Sequence, residues 1–308
     1  MGAAGGIVIM NEKNRFALVP RPPSAVEKAE PGAKRILSGM VADTIALIPA
    51  RVHAETEGWV EKGNRYFDSA TRDDNSNSKS DYIEAVEWYR KAAERNHAKA
   101  QCFLGHCYAS GWGVTEDEVE AVKWFQKSAE SGYADSQRWL GDFYEHTQDY
   151  LSAFKWYRKG AEQGDFSCQQ MLGDFYYDGK GVPKDNIEAA NWYRKAAEQG
   201  LVTAQSSLAW LNCDSNKIEH VKWLRKAAEQ GDEKAQIRLS IILFAGGYLP
   251  EEQQDIVEAY KWMRIRAEKE FDGIIHSNIK EFMTPEQIQK GEALAHEYLS
   301  KAMRQQNN

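Results

Sequence analysis

An all-α fold, a solenoid of about six stacked helix-turn-helix repeats, is predicted by three observations on this sequence. First, a tryptophan followed by a basic residue, small residues and Glu recurs as Trp88 to Glu94, Trp124 to Glu130, Trp156 to Glu162, Trp192 to Glu198 and Trp223 to Glu229, with a looser copy from Trp262 to Glu268. The spacings scatter around ~36 residues, inside the range of stacked helix pairs. Second, a companion segment keeps step: Ala100-x-x-x-Leu104-Gly105-x-x-Tyr108 returns as Ser136, Leu140, Gly141, Tyr144 and as Cys168, Leu172, Gly173, Tyr176. Degenerate copies follow at Ala204 with Leu208 and Ala235 with Leu239. Third, Gly111-Trp-Gly113-Val114 and Gly179-Lys-Gly181-Val182 share a turn pattern whose paired glycines permit positive φ between antiparallel helices. The stretch from Asp165 to Gly200 holds all three features in one copy.

Elementary packing accounts for each feature. Ala100, Leu104 and Tyr108 fall four apart on one helical face, and the glycine beside the leucine lets a partner helix approach closely. In the second helix Ala85, Trp88 and Ala92 make a stripe of large beside small residues, suited to interdigitation, and the tryptophan series is expected in the core. One pair alone cannot bury its apolar face, so such units come in arrays. The second helices end in Gly132, Gly164, Gly200 and Gly231, with Asn96 in the first copy, as left-handed stops.

These motifs resemble the Sel-one-like repeat, a relative of the tetratricopeptide repeat, with the pattern A-x-x-x-L-G-x-x-Y-x-x-G-x-G-V, a short gap, then A-x-x-W-x-x-K-A-A-E-Q-G. The resemblance covers roughly Gly58 to Glu268. It implies a right-handed α/α superhelix closed by capping helices at both ends.

Along the chain, residues 1–32 carry Gly-Ala clusters and Pro20-Arg21-Pro22-Pro23, so an extended or disordered arm is expected there; Met10 is a second candidate start. A capping helix is expected from Ala33 to Ile48, with Leu37, Val41 and Ile45 in a stripe and Pro49 as its stop, within a segment 33–53. The solenoid occupies 54–270. Its first repeat is atypical, with Lys62 in place of leucine, and the polar stretch between Phe67 and Ser80 reads as a mobile loop. The third repeat lacks the glycine turn and connects tightly through His146 to Asp149. The fifth carries Asn212 for tyrosine and His220 for alanine. Residues 271–308 form C-terminal capping helices, where Thr284-Pro285-Glu286-Gln287 starts a helix with an N-cap, an N1 proline and a capping-box residue. Ile288, Ala295, Tyr298 and Leu299 lie on the side of that helix that closes the core.

The 308 residues carry a formal charge of -7, and no Lys/Arg cluster is interleaved with aromatics, so a general nucleic-acid surface is not expected. Four cysteines without a regular framework point to a reducing compartment, hence the cytoplasm. Neither a secretory signal nor a run of the ~20 apolar residues needed for a membrane span is present. The ending MTPEQIQKGEALA resembles bacterial members of the family.

No enzyme or cofactor signature emerges. Cys102 and His106 are four apart, but with His97 and Cys107 they match no zinc spacing, so no metal is expected. Gly179-Lys180-Gly181 lacks the phosphate-loop frame, and no nucleophile-elbow or His-Glu-x-x-His motif occurs.

What the resemblance does imply is a binding face. In tetratricopeptide-like solenoids the first helices line the concave side, and partner contacts come from positions between the packing residues. Counted from each Leu-Gly pair, that places Lys99, Cys102 and His106 of the second repeat there. The third repeat contributes Asp135, Arg138, Asp142 and Glu145. The fourth adds Gln170, Asp174, Tyr177 and Asp178, and the fifth Ser206, Trp210 and Asp214. A wall of one sign focuses potential on partners of the other. The expected function is a non-enzymatic scaffold or adaptor that holds a basic segment of a protein or peptide, with no catalytic residue and no cofactor. The alternative is an enzyme such as a β-lactam hydrolase, as in the cysteine-rich branch of the family. That branch joins the two helices of each repeat by a disulfide, whereas here Cys102 and Cys107 share a first helix and no second-helix cysteine exists. A third expectation is that the proline-rich arm folds back and blocks the groove.

Overall fold

The computed structural model describes residues 7–10, 16–19, 31–72, 78–213, 216–245, 255–269 and 279–306, with side chains described over 52–72, 78–213, 216–245, 255–266 and 279–304. The chain forms two compact units, Met1–His97 and Ala98–Asn308.

In the first unit, β1 (Ile7–Met10) pairs antiparallel with β2 (Phe16–Val19), Ile7 opposite Val19 and Met10 opposite Phe16. Part of the expected arm is therefore a β-ribbon, while its proline-rich stretch lies outside the described residues. Helix α1 (Pro31–Arg72) packs on α2 (Ser78–Ala93). The expected stop at Pro49 is not used: the backbone stays helical through it, so the predicted cap and the first helix of the first repeat are one continuous helix. Proline costs about 3 kcal/mol in a helix interior, and docking of the downstream half offsets it, because Val60 and Ala70 are buried with Ala85, Val86, Tyr89 and Ala92 of α2. The polar loop shrinks accordingly. Residues 67–72 finish α1, Ser78 opens α2, and 73–77 lie outside the described residues.

The second unit is a run of antiparallel helix pairs. The pairs are α3 (Ala98–Ser110) with α4 (Glu118–Glu130), α5 (Ala134–His146) with α6 (Tyr150–Glu162), and α7 (Phe166–Asp178) with α8 (Asn186–Glu198). They continue as α9 (Val202–Leu211) with α10 (Lys217–Glu229) and α11 (Glu233–Ala245) with α12 (Ile256–Lys269), and α13 (Pro285–Gln306) closes on α12. Each pair also packs on the next through the contacts α4 with α5, α6 with α7, α8 with α9 and α10 with α11. The second unit is thus an all-α stack of five helix pairs, and with the α1–α2 pair of the first unit the described helices count as about six repeats. Among the described residues, no helix is long and apolar enough to cross a membrane.

One expectation about the core needs correction. The fully buried aromatic of the second helix is the residue after the tryptophan, namely Tyr89, Phe125, Tyr157 or Tyr193, while Trp88, Trp124, Trp156 and Trp192 are half-buried. Each indole keeps an outer face that a lysine one turn on covers with its ammonium: Lys127 on Trp124 and Lys159 on Trp156 at 4.0 Å, Lys195 on Trp192 at 3.6 Å. Only in the fifth and sixth copies are Trp223 and Trp262 buried.

A hydrogen-bonded clasp fixes successive pairs. Gln169 in α7 donates to the Ala161 carbonyl of the preceding repeat at 3.2 Å and accepts from Gln199, which follows α8 of its own repeat, at 2.9 Å. Gln137 with Ala129 and Gln163, and Gln205 with Ala197 and Gln230, repeat the arrangement. The glutamine of the Ala-Glu-Gln-Gly ending thus satisfies the buried amide that satisfies the helix end below it.

Local departures fit their sequences. The short third-repeat connection is closed by Gln148 at φ 63° and an Asp149 N-cap. At the C-terminal helix Gln287 N–H donates to Thr284 Oγ1 at 3.3 Å, and Thr284 N–H to Gln287 Oε1 at 2.9 Å, the capping box read from sequence. Ala295 is buried there, with Ile288, Tyr298 and Leu299 packed around the same core.

Candidate functional site

The first-helix face is built on a glycine wedge. An added Cβ on Gly173 would come within 2.5 Å of the Tyr193 ring, so only glycine lets α8 seat that ring against α7. Gly141 stands in the same relation to Tyr157. Each buried ring passes its hydroxyl to the residue that follows the glycine. Tyr157 donates to Asp142 at 2.7 Å and to Glu145 at 3.1 Å, and Tyr193 donates to Asp174 at 2.6 Å. Two central residues of the predicted face are therefore fixed from beneath by the core.

Burial raises the carboxyl pKa of both Asp142 and Asp174 above the ordinary aspartate value, against the lowering effect of the tyrosine hydrogen bonds. Burial, and then the facing carboxylates, push the Tyr157 and Tyr193 phenols far above their usual range. The second repeat replaces both partners at once. Phe125 stands for the tyrosine and His106 for the aspartate, with their rings edge to face at 4.8 Å. Burial lowers the His106 pKa, with Asp135 opposing and Arg138 reinforcing the shift.

Cations are threaded among these carboxylates. Arg138 lies 3.9 Å from Asp135 and 3.8 Å from Asp142. Lys180, in the glycine turn after α7, reaches back to Glu145 of the previous repeat at 3.1 Å and also meets Asp178 at 3.5 Å. Gln170 donates to Asp174 at 3.1 Å and lies 3.5 Å from Ser207 of α9, and Ser206 donates to Asp232 at 2.8 Å. Lys99 is half-buried, its ammonium 5.8 Å from the Phe103 ring centre.

Cys102 does not belong to an exposed face. It is 2% exposed, its thiol meets Ser136 of α5, and burial raises its pKa to about 11. The position two before the leucine lies against the next first helix, as the contacts of Gln170 and Ser206 show. A long polar side chain escapes from there, and a short thiol stays covered. Asp214 lies outside the described residues. Among the described residues, no group of three or more His, Cys, Asp or Glu is placed to hold a metal ion.

Trp210 and Tyr177 flank a cleft of about 370 Å³ that Asp174, Ser206, Lys234 and Arg238 also line. Trp210 is 49% exposed, and the Arg238 guanidinium lies over its ring at 4.4 Å. Neither Lys234 nor Arg238 is among the residues read from sequence. Lys234 is five before Leu239, as Lys99 is before Leu104 and Asp135 before Leu140, so the same count extended to the sixth repeat reaches it. Arg238 sits beside the leucine, where the other repeats hold Phe103, Trp139, Met171 and Ser207, and no periodic signal marks it. The two tyrosines beneath the aspartates were also missed, because their repeat position reads as core.

Comparison with known proteins agrees with this architecture. A scan against protein-family profiles finds the Sel1 repeat over residues 76–97, 98–133, 134–165, 167–201, 221–232 and 233–269. Among solved structures, a Sel1 repeat protein from Oxalobacter formigenes is 29% identical with a TM-score of 0.56, over 70% of this chain and 88% of its own. The protective antigen c5321 of uropathogenic Escherichia coli, described as displaying an SLR fold, is 25% identical with a TM-score of 0.49, over 80% of this chain and 69% of its own. Helicobacter pylori cysteine-rich protein B is 28% identical with a TM-score of 0.34, over 41% of this chain and 93% of its own. No curated protein matches the chain in a sequence search. Sel1 repeats generally serve as protein-interaction scaffolds. With repeats matched over more than half of its length, this chain belongs to the Sel1 repeat family.

Proposed function

We propose that this protein is a non-enzymatic adaptor that holds a basic segment of a partner protein along the first-helix face of α5 and α7. The observation that carries the reading is the set of five carboxylates these helices bring together, Asp135, Asp142, Glu145, Asp174 and Asp178, against two interleaved cations, Arg138 and Lys180. Three of the five, Asp142, Glu145 and Asp174, accept from buried phenols, so part of the ordering cost of an exposed acidic side chain is already met by the fold. A cytoplasmic setting accords with four free cysteines, three of them buried.

The choice of test follows from the geometry. Replacing Asp142 or Asp174 by lysine removes the acceptor of a buried phenol as well as the charge. Asparagine removes the charge and keeps an acceptor. The experiment is affinity capture from the source cell's lysate by the intact chain and by the Asp142→Asn/Asp174→Asn/Asp178→Asn variant, followed by binding measurements on the purified captured protein at low and moderate salt. Weaker, less salt-sensitive binding by the variant is expected; equal affinity and equal salt dependence would sink the acidic-face reading.

A further inference from the structure

We propose that the cleft between α7, α9 and α11 is a bipolar anchor: it takes an apolar side chain of a partner segment that carries a basic residue on one side and a carboxylate on the other. The inference rests on the reading of the first-helix face as a peptide-binding face and names the chemistry of the segment at its C-terminal end.

Three observations carry it. The first is a reversal of sign. Asp174 stands on the α7 side of the cleft with Asp178 on the same helix, whereas α11 presents Lys234 and Arg238, one turn apart on one helical face. The second is that these two cations are unspent. Arg138, Lys180, Arg225 and Arg264 each have a carboxylate within 4 Å, Arg225 with Glu258 at 2.7 Å and Arg264 with Glu292 at 3.0 Å. Lys234 and Arg238 are both exposed and enter no ion pair among the described residues. Arg238 is instead stacked on Trp210 at 4.4 Å, an arrangement that orients a guanidinium while leaving its edge open to a bidentate carboxylate.

The third observation is the space between the two signs. Its volume of about 370 Å³ is walled by Tyr177 and Trp210, with Leu211 and Leu224 contributing apolar lining. That lies at the small end of the range for ligand pockets and suits one or two side chains rather than a cofactor. Tryptophan, tyrosine and arginine, the residue types that Trp210, Tyr177 and Arg238 bring to this cleft, are enriched at the energetic centres of protein interfaces. A purely basic segment would meet Lys234 and Arg238 as repulsive neighbours. A segment that ends in a carboxylate at α11 satisfies both walls.

The test uses random-sequence peptide display against the intact 308-residue chain, followed by calorimetry of synthesised enriched peptides on the intact chain and on the Lys234→Glu/Arg238→Glu variant. Both substituted positions are exposed, and melting followed by circular dichroism checks that the variant keeps its fold. The expected pool carries a basic residue and a carboxylate on either side of an apolar one, and the charge reversal weakens these peptides on the order of tenfold. A pool of purely basic peptides that the reversal leaves unchanged or strengthens overturns the bipolar anchor and leaves the acidic-face reading standing. Failure to enrich any peptide over an unrelated helical protein overturns both.

Discussion

The phenol of Tyr157 on α6 donates to Asp142 Oδ1 on α5 at 2.7 Å, and the same bond recurs one repeat later between Tyr193 and Asp174 at 2.6 Å. The wedge under it is glycine in both repeats, so core packing and surface charge are set by one three-residue device: a glycine, the acidic residue after it and a tyrosine from the partner helix. Where the tyrosine becomes Phe125 the acid becomes His106, whereas the first repeat keeps the phenol with another acceptor, Tyr89 donating to Asn64 Oδ1 at 2.9 Å.

The device predicts an asymmetry between substitutions at Asp174. Asp174→Asn keeps an acceptor for Tyr193 and is expected to change stability little. Asp174→Leu strands a buried hydroxyl and is expected to cost about 1–3 kcal/mol. Chemical denaturation of both variants decides it; equal midpoints for the two would show that the hydrogen bond contributes nothing.

A second prediction concerns the junction of α6 and α7. A Cβ added to Gly160 would lie 2.5 Å from Cys168 Sγ, so the glycine in Lys-Gly-Ala-Glu answers the cysteine that stands where other repeats carry alanine or serine. Gly160→Ala is expected to destabilise by about 1–3 kcal/mol through overpacking, and adding Cys168→Ala is expected to recover most of it. A double-mutant cycle on unfolding free energies measures the coupling, and simple additivity would refute the packing account.

The glutamine clasp gives a third. Gln169→Ala leaves the Ala161 carbonyl without its side-chain donor and takes from the Gln199 amide one of its two acceptors, the Gly164 carbonyl at 3.0 Å remaining, a loss of about 2–4 kcal/mol from two neutral hydrogen bonds and a cavity. Hydrogen exchange is expected to accelerate at the end of α6 and across α7 before it does in α3 and α4. Uniform acceleration along the whole unit would place the defect elsewhere.

A fourth is a pH dependence with a defined sign. Burial lowers the His106 pKa below 6.5 in the folded state, so the unfolded chain binds that proton more readily. Its contribution to stability is present above pH 6.5 and is lost as the pH falls through the folded value. Asp142 and Asp174 are raised above 3.8 and act in the opposite sense. Their contribution is present below the unfolded value and is lost as the pH rises through the raised one. Stability is therefore expected to decline on acidification from pH 6.5, with a shallower decline in His106→Gln. Proton NMR of the imidazole supplies the check, and a midpoint at or above 6.5 contradicts the burial argument.

Much of this architecture is legible in the sequence, and the reason is range. The left-handed stops at Gly132, Gly164, Gly200 and Gly231, the Thr284–Gln287 capping box, and the Leu-Gly pairs depend on φ angles and on neighbours within one or two helical turns. Those are properties a sequence displays directly. The ~36-residue spacing then implied stacking, because one helix pair has nothing else on which to bury its apolar stripe.

The binding face was legible as a count of positions but not as a pattern of charge or exposure. Cys102 and Arg138 hold the same repeat position, yet one is buried and the other reaches out, because side-chain length decides which escapes the next helix. Tyr157 rather than Trp156 enters the core because its ring seats where Gly141 of the facing helix leaves room, a property of the packed pair. Pro49 lies within α1 because the gain from docking the rest of that helix on α2 exceeds the cost of one proline. By itself, then, the sequence determined the repeat, its helices and their ends, since short-range sterics and hydrogen bonding write these into every copy. Only the tertiary structure decided which carboxylates a buried tyrosine holds, and where Lys234 and Arg238 reverse the sign of the face, since both follow from residues that meet across separate helices.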